Sequence, residues 1–103
     1  MNEKSTMAIN RDYADLDGRL LKLLLAVVET GSITGAALQL VVTQSAVSHL
    51  LDKLRAITGD PLFVKSGRGI VATQRALLLA VHARELLAGM ERFALSGDFD
   101  PAR

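Results

Sequence analysis

The chain is 103 residues long, half of them hydrophobic and only 4% aromatic, which allows one compact domain with an aliphatic core. It has no cysteine, so disulfides and thiolate metal sites are excluded, as fits a protein of the reducing cytoplasm. The formal net charge is +1, with the positive surplus in residues 17–73, and alone this gives only weak support for an anionic partner. The longest apolar runs are too short or too interrupted to span a bilayer, so no membrane partner is expected.

Two helices are predicted in the first half of the chain. The first runs from about Gly18 to Thr30, with Asp17 and Gly31 as its caps, because its leucines and valines recur at helical spacing. The second, from about Thr34 to Leu40, is short and follows at once, with Ser32 as its cap.

A third helix is predicted from about Gln44 to Thr58, closed by Gly59, after a break of only a few residues. The second helix carries the small residues Ala36 and Ala37, which allow a close approach between helices. Two helices joined by so short a turn form a helix-turn-helix pattern.

The segment after the third helix predicts a β-hairpin. The runs LFV and IVAT follow Asp60-Pro61 and flank the basic, glycine-containing pentapeptide KSGRG. A long helix follows, with Thr73 as its cap, so three helices and a small hairpin make a mainly α winged helix-turn-helix. The predicted division of the chain is a flexible leader at residues 1–15, the winged helix-turn-helix at 16–73, the long helix at 74–95 and a hinge at 96–103.

The start of the third helix is unusually polar. Its first turns carry short polar side chains with little helix propensity: Thr43, Gln44, Ser45, Ser48 and His49. On a helical wheel the apolar positions fall on one side, and Ser45, Ser48, His49 and Asp52 fall on the other. Such side chains suit base edges in a major groove, which helix-turn-helix proteins read with the N-terminal residues of this helix. The alternative is that Thr43 only caps the helix and the serines are surface residues. For each residue taken alone, that alternative is the better interpretation. When the residues are taken together with the preceding helix, the short turn and the basic hairpin, the DNA-reading interpretation is the better one.

Three further features bear on DNA binding. Lys65 and Arg68 in the hairpin could straddle a phosphate backbone or enter a minor groove, although a basic solvated turn is the simpler interpretation. Ser32 and Thr34 could bind phosphates at the start of the second helix, an interpretation compatible with capping. Asp52 opposes deep insertion of the whole helix face, because phosphates repel a carboxylate, and we expect it at the groove margin.

The run from Leu16 to Phe93 resembles the N-terminal DNA-binding domain of LysR-type transcriptional regulators. The resemblance rests on the segments LDGRLLKLLLAVVETGSITGAALQL and VTQSAVSHLLDKLRAITGDPLFVKSGRG, followed by Thr73 at the start of the long helix. It implies a dimer that binds a pseudo-palindromic double-stranded operator. Carried over by position, the family's DNA contacts fall on Ser32, Thr34, Gln44, Ser45, Ser48, His49 and Lys53, with Lys65, Ser66 and Arg68 in the wing.

The chain also departs from the family's usual sequence. Many members have aromatic residues where this chain has Leu24 and Ile33. Many also have an arginine at the position of Lys65, and the lysine keeps the charge but lacks the bidentate fork of the guanidinium. Full-length members carry an effector-binding region after a hinge, and this chain ends at FDPAR. We therefore expect a fragment, in which a small-molecule effector would act only through a region absent from this chain.

The long helix is predicted to mediate homodimerisation through Leu77, Val81, Arg84 and Ala88, because pairing with a second copy would bury its apolar stripe. The alternative is that this stripe packs against the first helix of the same chain. His82 is expected to be a packing residue rather than a ligand or a base.

An enzyme is not expected, because no paired-carboxylate, Cys-His or Ser-His-Asp arrangement occurs, and neither a cofactor nor a metal site is indicated. The alternative function is a protein-interaction module that forms heterodimers through the long helix and modulates another regulator without binding DNA.

Overall fold

The computed structural model describes residues 13–96 as a mainly helical winged helix-turn-helix. A short 3-10 helix, Tyr13–Asp15, precedes three helices, and a two-stranded antiparallel sheet and a long helix follow them. The bounds are α1 Gly18–Thr30, α2 Ile33–Leu40, α3 Gln44–Thr58, β1 Phe63–Ser66, β2 Gly69–Ala72 and α4 Gln74–Ser96. The predicted bounds of the first and third helices are confirmed, while α2 begins one residue earlier and α4 ends one residue later than expected.

Most of the predicted leader (1–15) and most of the predicted hinge (96–103) lie outside the described residues. Only Tyr13–Asp15 of the leader is described, as the 3-10 helix, and Ser96 is the last residue of α4. The division of the chain into a leader, a domain, a linker helix and a hinge therefore stays a prediction.

Each α-helix of the described part begins at a side-chain cap that the sequence predicts. The cap oxygen accepts a hydrogen bond from the backbone N–H three residues later, which satisfies one of the free donors at a helix start. The donor–acceptor distances are 3.0 Å at Asp17, 2.7 Å at Ser32, 3.0 Å at Thr43 and 3.0 Å at Thr73. The helix starts are thus determined by local sequence.

The core surrounds α1, which packs against α2, α3 and α4. The buried side chains are aliphatic apart from Phe63, as the low aromatic content requires. The largest of them that are fully enclosed are Leu20, Leu23, Val27, Val47, Leu54 and Leu62. Within residues 13–96, no helix is both long enough and apolar enough to cross a membrane.

The small residues of α2 bring it close to α1. Ala36 and Ala37 are buried in the shared core, as the sequence predicts. A Cβ atom at Gly35 would lie 2.8 Å from the Cβ of Thr30, closer than real Cβ atoms approach. The glycine inside α2, unfavourable for an isolated helix, is therefore required by the tight junction between α1 and α2.

Helix α4 has two apolar faces rather than one. Ala76, Ala80 and Ala83 are buried, and the helix packs along α1 through this face. The predicted dimerisation residues follow the same spacing one position further along the chain and so lie beside the buried stripe. The alternative places the stripe of Leu77 and Val81 against α1, whereas the face of α4 that is buried in the described chain is the alanine face.

Candidate nucleic-acid interface

Helix α3 separates its apolar and polar residues as the sequence predicts. Val47, Leu51 and Leu54 are buried and Leu50 is partly buried against them. The opposite face is exposed along its length and comprises Gln44, Ser45, Ser48, His49, Asp52 and Lys53. The fold therefore presents a continuous polar surface, about three helical turns long, with its short side chains nearest the N-terminus.

Thr43, at the N-terminus of α3, is exposed, and its Oγ1 accepts the hydrogen bond from the Ala46 N–H. The capping role is thus present, and the hydroxyl proton has no acceptor within residues 13–96. A hydroxyl used in this way can still donate to a phosphate oxygen. Capping and DNA contact are therefore compatible at this residue.

The start of α2 lies beside the wing, the hairpin formed by β1 and β2. Ser32 caps α2 through its Oγ, and Thr34 is exposed on the first turn. A Cβ atom on Gly69, the first residue of β2, would lie 3.9 Å from the carbonyl oxygen of Gly31, the residue before Ser32. Two groups of predicted contact residues, which are distant in sequence, are thus brought together by the fold.

The wing is a tight hairpin in which Ser66 pairs with Gly69 across a two-residue turn. Gly67 has φ +61°, a left-handed conformation that glycine adopts without steric cost. Lys65, Ser66 and Arg68 are all exposed. In the described part of the chain, neither cation is engaged in an ion pair, so both are available to an anionic partner.

The one carboxylate on the polar face of α3 is paired. Asp52 Oδ1 accepts a 3.0 Å hydrogen bond from Nη1 of Arg55, one turn further along the same helix. The guanidinium partly offsets the repulsion that Asp52 would exert on phosphates. The predicted objection to deep insertion is therefore weaker than the sequence alone indicates.

The predicted dimerisation residues are only partly covered. Leu77 is 50% exposed and Val81 48% exposed, whereas Ala88 is partly buried. Arg84 reaches back to α1, with its Nη2 3.9 Å from Oε2 of Glu29. His82 is exposed next to this face, and its Nδ1 lies 3.4 Å from Oε1 of Glu85.

Two residues with a structural role at the interface, Arg55 and Asp60, are absent from the sequence-based predictions. Arg55 joins α3 to the turn before the wing through the Pro61 carbonyl, and Asp60 joins that turn to the start of α4. The only sequence signal for either is the Asp-Pro pair, which indicates a turn but not its partners.

These features define a winged helix-turn-helix protein of the transcription-regulator class. The family described as "Bacterial regulatory helix-turn-helix protein, lysR family" matches residues 19–77. The chain belongs to this family of LysR-type transcriptional regulators. The assignment confirms the resemblance, the fold class and the expectation that the protein is not an enzyme.

Curated relatives and a solved structure support the assignment. The chain is 41% identical over 86 residues to the uncharacterized HTH-type transcriptional regulator YbdO of Escherichia coli strain K12, covering 84% of this chain and 29% of that protein. It is 38% identical over 91 residues to nodulation protein D 1 of Bradyrhizobium sp. strain NC92, covering 87% of this chain and 29% of that protein. The chain thus spans 29% of the length of each of these two relatives.

Among solved structures, the crystal structure of the CbnR DBD–DNA complex superimposes with a TM-score of 0.72 at 34% identity. The match covers 81% of this chain and 92% of that one. The likeness therefore extends over nearly the whole of a chain that was crystallised in complex with DNA.

Proposed function

We propose that this chain binds double-stranded DNA sequence-specifically as a homodimer, with α3 in the major groove and the wing on the backbone or in the minor groove. The observation that carries the proposal is the exposed face of α3, whose polar side chains cluster at the helix N-terminus. A cytoplasmic location follows from the same proposal, because a bacterial regulator of transcription meets its operator there.

The residues divide by the kind of contact that their chemistry allows. Gln44 can make a bidentate contact to adenine, while Ser45, Ser48 and His49 can bond to several base edges. Ser32, Thr34 and Thr43 lie at helix starts, where hydroxyls and free backbone N–H groups favour phosphate oxygens. Lys53, Lys65, Ser66 and Arg68 complete the proposed contact set on the backbone, where charge supplies affinity without sequence information.

Dimerisation through α4 would present two copies of α3 to two half-sites. The helix has 23 residues, which corresponds to about 35 Å, similar to one turn of DNA. Its outer face keeps apolar side chains, among them Leu77 and Val81, that residues 13–96 leave about half exposed. Two-fold pairing of these faces, with Arg84 and Ala88 beside them, supports a pseudo-palindromic operator.

The CbnR complex supports the DNA-binding part of this proposal, since the matched chain was crystallised with DNA. The effector is a separate matter. We propose that a small molecule would act through a region outside these 103 residues, because the described residues form a DNA-binding fold and the matched relatives are about three times as long as this chain.

The experiment that tests this function is selection of bound fragments from a random duplex pool by the purified chain, repeated over a series of salt concentrations. We expect enrichment of a dyad sequence and an affinity that falls steeply with salt, because lysine and arginine release counterions from phosphates. Failure to enrich any sequence, while the chain remains dimeric, would contradict sequence-specific binding and favour the heterodimerisation module.

Substitution of Gln44 separates the two functions directly. Gln44→Ala should weaken binding to the selected duplex by roughly 1–3 kcal/mol and relax the preference at one base pair, because a bidentate base contact is lost. Lys53→Ala is the control, since loss of a phosphate contact should weaken all sequences alike and reduce the salt dependence. Both variants should remain dimeric by analytical ultracentrifugation.

A further inference from the structure

The connection between α3 and the wing contains an unusual turn. Leu62 has φ +65°, a conformation that residues with side chains rarely adopt, and its side chain is completely buried. The Phe63 N–H donates to the Pro61 carbonyl over 2.7 Å, so a three-residue γ-turn is centred on Leu62. Such turns are strained and persist only when the surroundings hold them in several ways.

One set of hydrogen bonds holds this turn to the start of α4. Oδ2 of Asp60 accepts from the Leu62 N–H over 2.8 Å and from the Thr73 hydroxyl over 2.9 Å. The Thr73 N–H in turn donates to the Leu62 carbonyl over 2.8 Å. These bonds hold the wing to the start of α4, but none of them extends to the DNA-facing part of α3.

Arg55 makes the corresponding link to α3 through the Pro61 carbonyl, and a 3.4 Å hydrogen bond from the Asp60 N–H to Oγ1 of Thr58 adds a second contact at the end of the same helix. Nε of Arg55, in the last turns of that helix, donates to the Pro61 carbonyl over 2.8 Å, and its Nη1 donates to Asp52 over 3.0 Å. The guanidinium is a planar fork, so two bonds of fixed direction restrict its orientation. The Pro61 carbonyl therefore carries both the γ-turn and the link to α3.

We propose that Arg55 is a positioning residue, which contacts no DNA and fixes the wing relative to α3 through the Pro61 carbonyl. Strand β1 begins directly after Leu62, so a rotation there moves the whole wing. Four strand residues give a lever of roughly 13 Å, and a rotation of about 20° would move the tip by about 4–5 Å. That displacement exceeds the tolerance of a hydrogen bond to phosphate.

The inference rests on the proposed function for its effect on DNA binding, but the position of the wing can be measured without DNA. The chain has no cysteine, so Ala56→Cys on α3 and Ser66→Cys on β1 introduce two unique sites for nitroxide labels. Pulsed electron spin resonance should give one narrow distance in the labelled parent. Arg55→Met, which keeps an apolar stem and removes every donor, should broaden or shift that distance.

An unchanged distance distribution in the folded Arg55→Met variant would overturn the proposal. Thermal unfolding establishes that the variant is folded. If Arg55→Met does not fold, Arg55→Lys takes its place, because it keeps the charge beside Asp52 and loses the fork that reaches both acceptors.

Binding to the selected duplex gives the second readout. Arg55→Met should weaken binding about tenfold in the parent, the value of one charge-assisted hydrogen bond, because the wing no longer reaches its phosphate. In a chain that already carries Lys65→Ala and Arg68→Ala, Arg55→Met should weaken binding by less than about twofold, since the effects of substitutions at coupled residues do not add. An equal loss in both backgrounds would contradict a role through the wing.

A competing explanation for weaker DNA binding by Arg55→Met is that Arg55 acts only by neutralising the Asp52 carboxylate. The substitution Asp52→Asn tests this explanation. If Arg55 acts only by masking that carboxylate, the loss caused by Arg55→Met should disappear in the Asp52→Asn chain, which would overturn the proposal. If Arg55 positions the wing, the loss should persist there. A parent that binds no duplex contradicts the proposed function, and the label distance then decides the positioning role alone.

Discussion

Each of the two turns that flank α3 contains a non-glycine residue with a positive φ, but their surroundings are opposite. Val41, before the helix, has φ +60° and is 87% exposed, while Leu62, after the helix, has φ +65° and is completely buried. Hydrogen bonds of the Val41 N–H to α2 carbonyls hold the first turn as an ordinary helix end, whereas side chains from three segments hold the second. The comparison shows that a positive φ can be held by local helix-end hydrogen bonds at one turn and by contacts between distant segments at the other.

The largest expected effect concerns the buried turn. Leu62→Ala should lower the free energy of unfolding by about 2–5 kcal/mol, because it removes a fully enclosed leucine and leaves both the cavity and the strained φ. Denaturant unfolding of the purified chain measures the change. Leu38→Ala on the exposed side of α2 is the control and should have little effect. Equal stability of the two variants would contradict a structural role for Leu62.

A smaller effect is expected from the carboxylate that holds the same turn. Asp60→Ala should destabilise the chain by about 1.5–3 kcal/mol, since two donors lose a charged acceptor and the Leu62 N–H is left without a partner within the described residues. Asp60→Asn keeps an oxygen at the same place and should cost distinctly less. If alanine and asparagine destabilise equally, the oxygen at Asp60 does not hold the turn.

The smallest effect, with the opposite sign, is expected at the exposed turn. Val41→Gly should stabilise the chain by about 0.5–1 kcal/mol, because glycine accepts the left-handed conformation without the steric cost that a β-branched residue has there. Val42→Gly, at an adjacent exposed position, is the control and should not stabilise the chain. A loss of stability in Val41→Gly would show that the valine side chain contributes more than its strain costs.

Local signals explain why so much of the fold is predictable from the sequence. Asp17, Ser32, Thr43 and Thr73 each carry their capping information in one side chain, and Gly31 and Gly59 mark helix ends. The polar face of α3 is predictable for the same reason, since periodicity assigns each side chain to a face.

What the sequence does not predict depends on contacts between distant segments. Val41 and Leu62 adopt conformations that their residue types disfavour, so no propensity indicates either turn. The hydrogen bonds of Arg55 and Asp60 depend on the path of the chain after α3. The sequence does not show which side of α4 packs inward, because the alanine face and the face of larger aliphatic residues are both apolar.

The inward use of alanine in α4 has a consequence for how such regulators diversify. Ala76, Ala80 and Ala83 are buried whereas Leu77 and Val81 are about half exposed, so the domain core makes little demand on the larger side chains of the outer face. Under the proposed pairing, Leu77 and Val81 are then free to change without refolding the domain. Duplicated copies of such a gene can acquire distinct subunit partners through a few surface substitutions, while each copy keeps the same DNA-contacting face of α3.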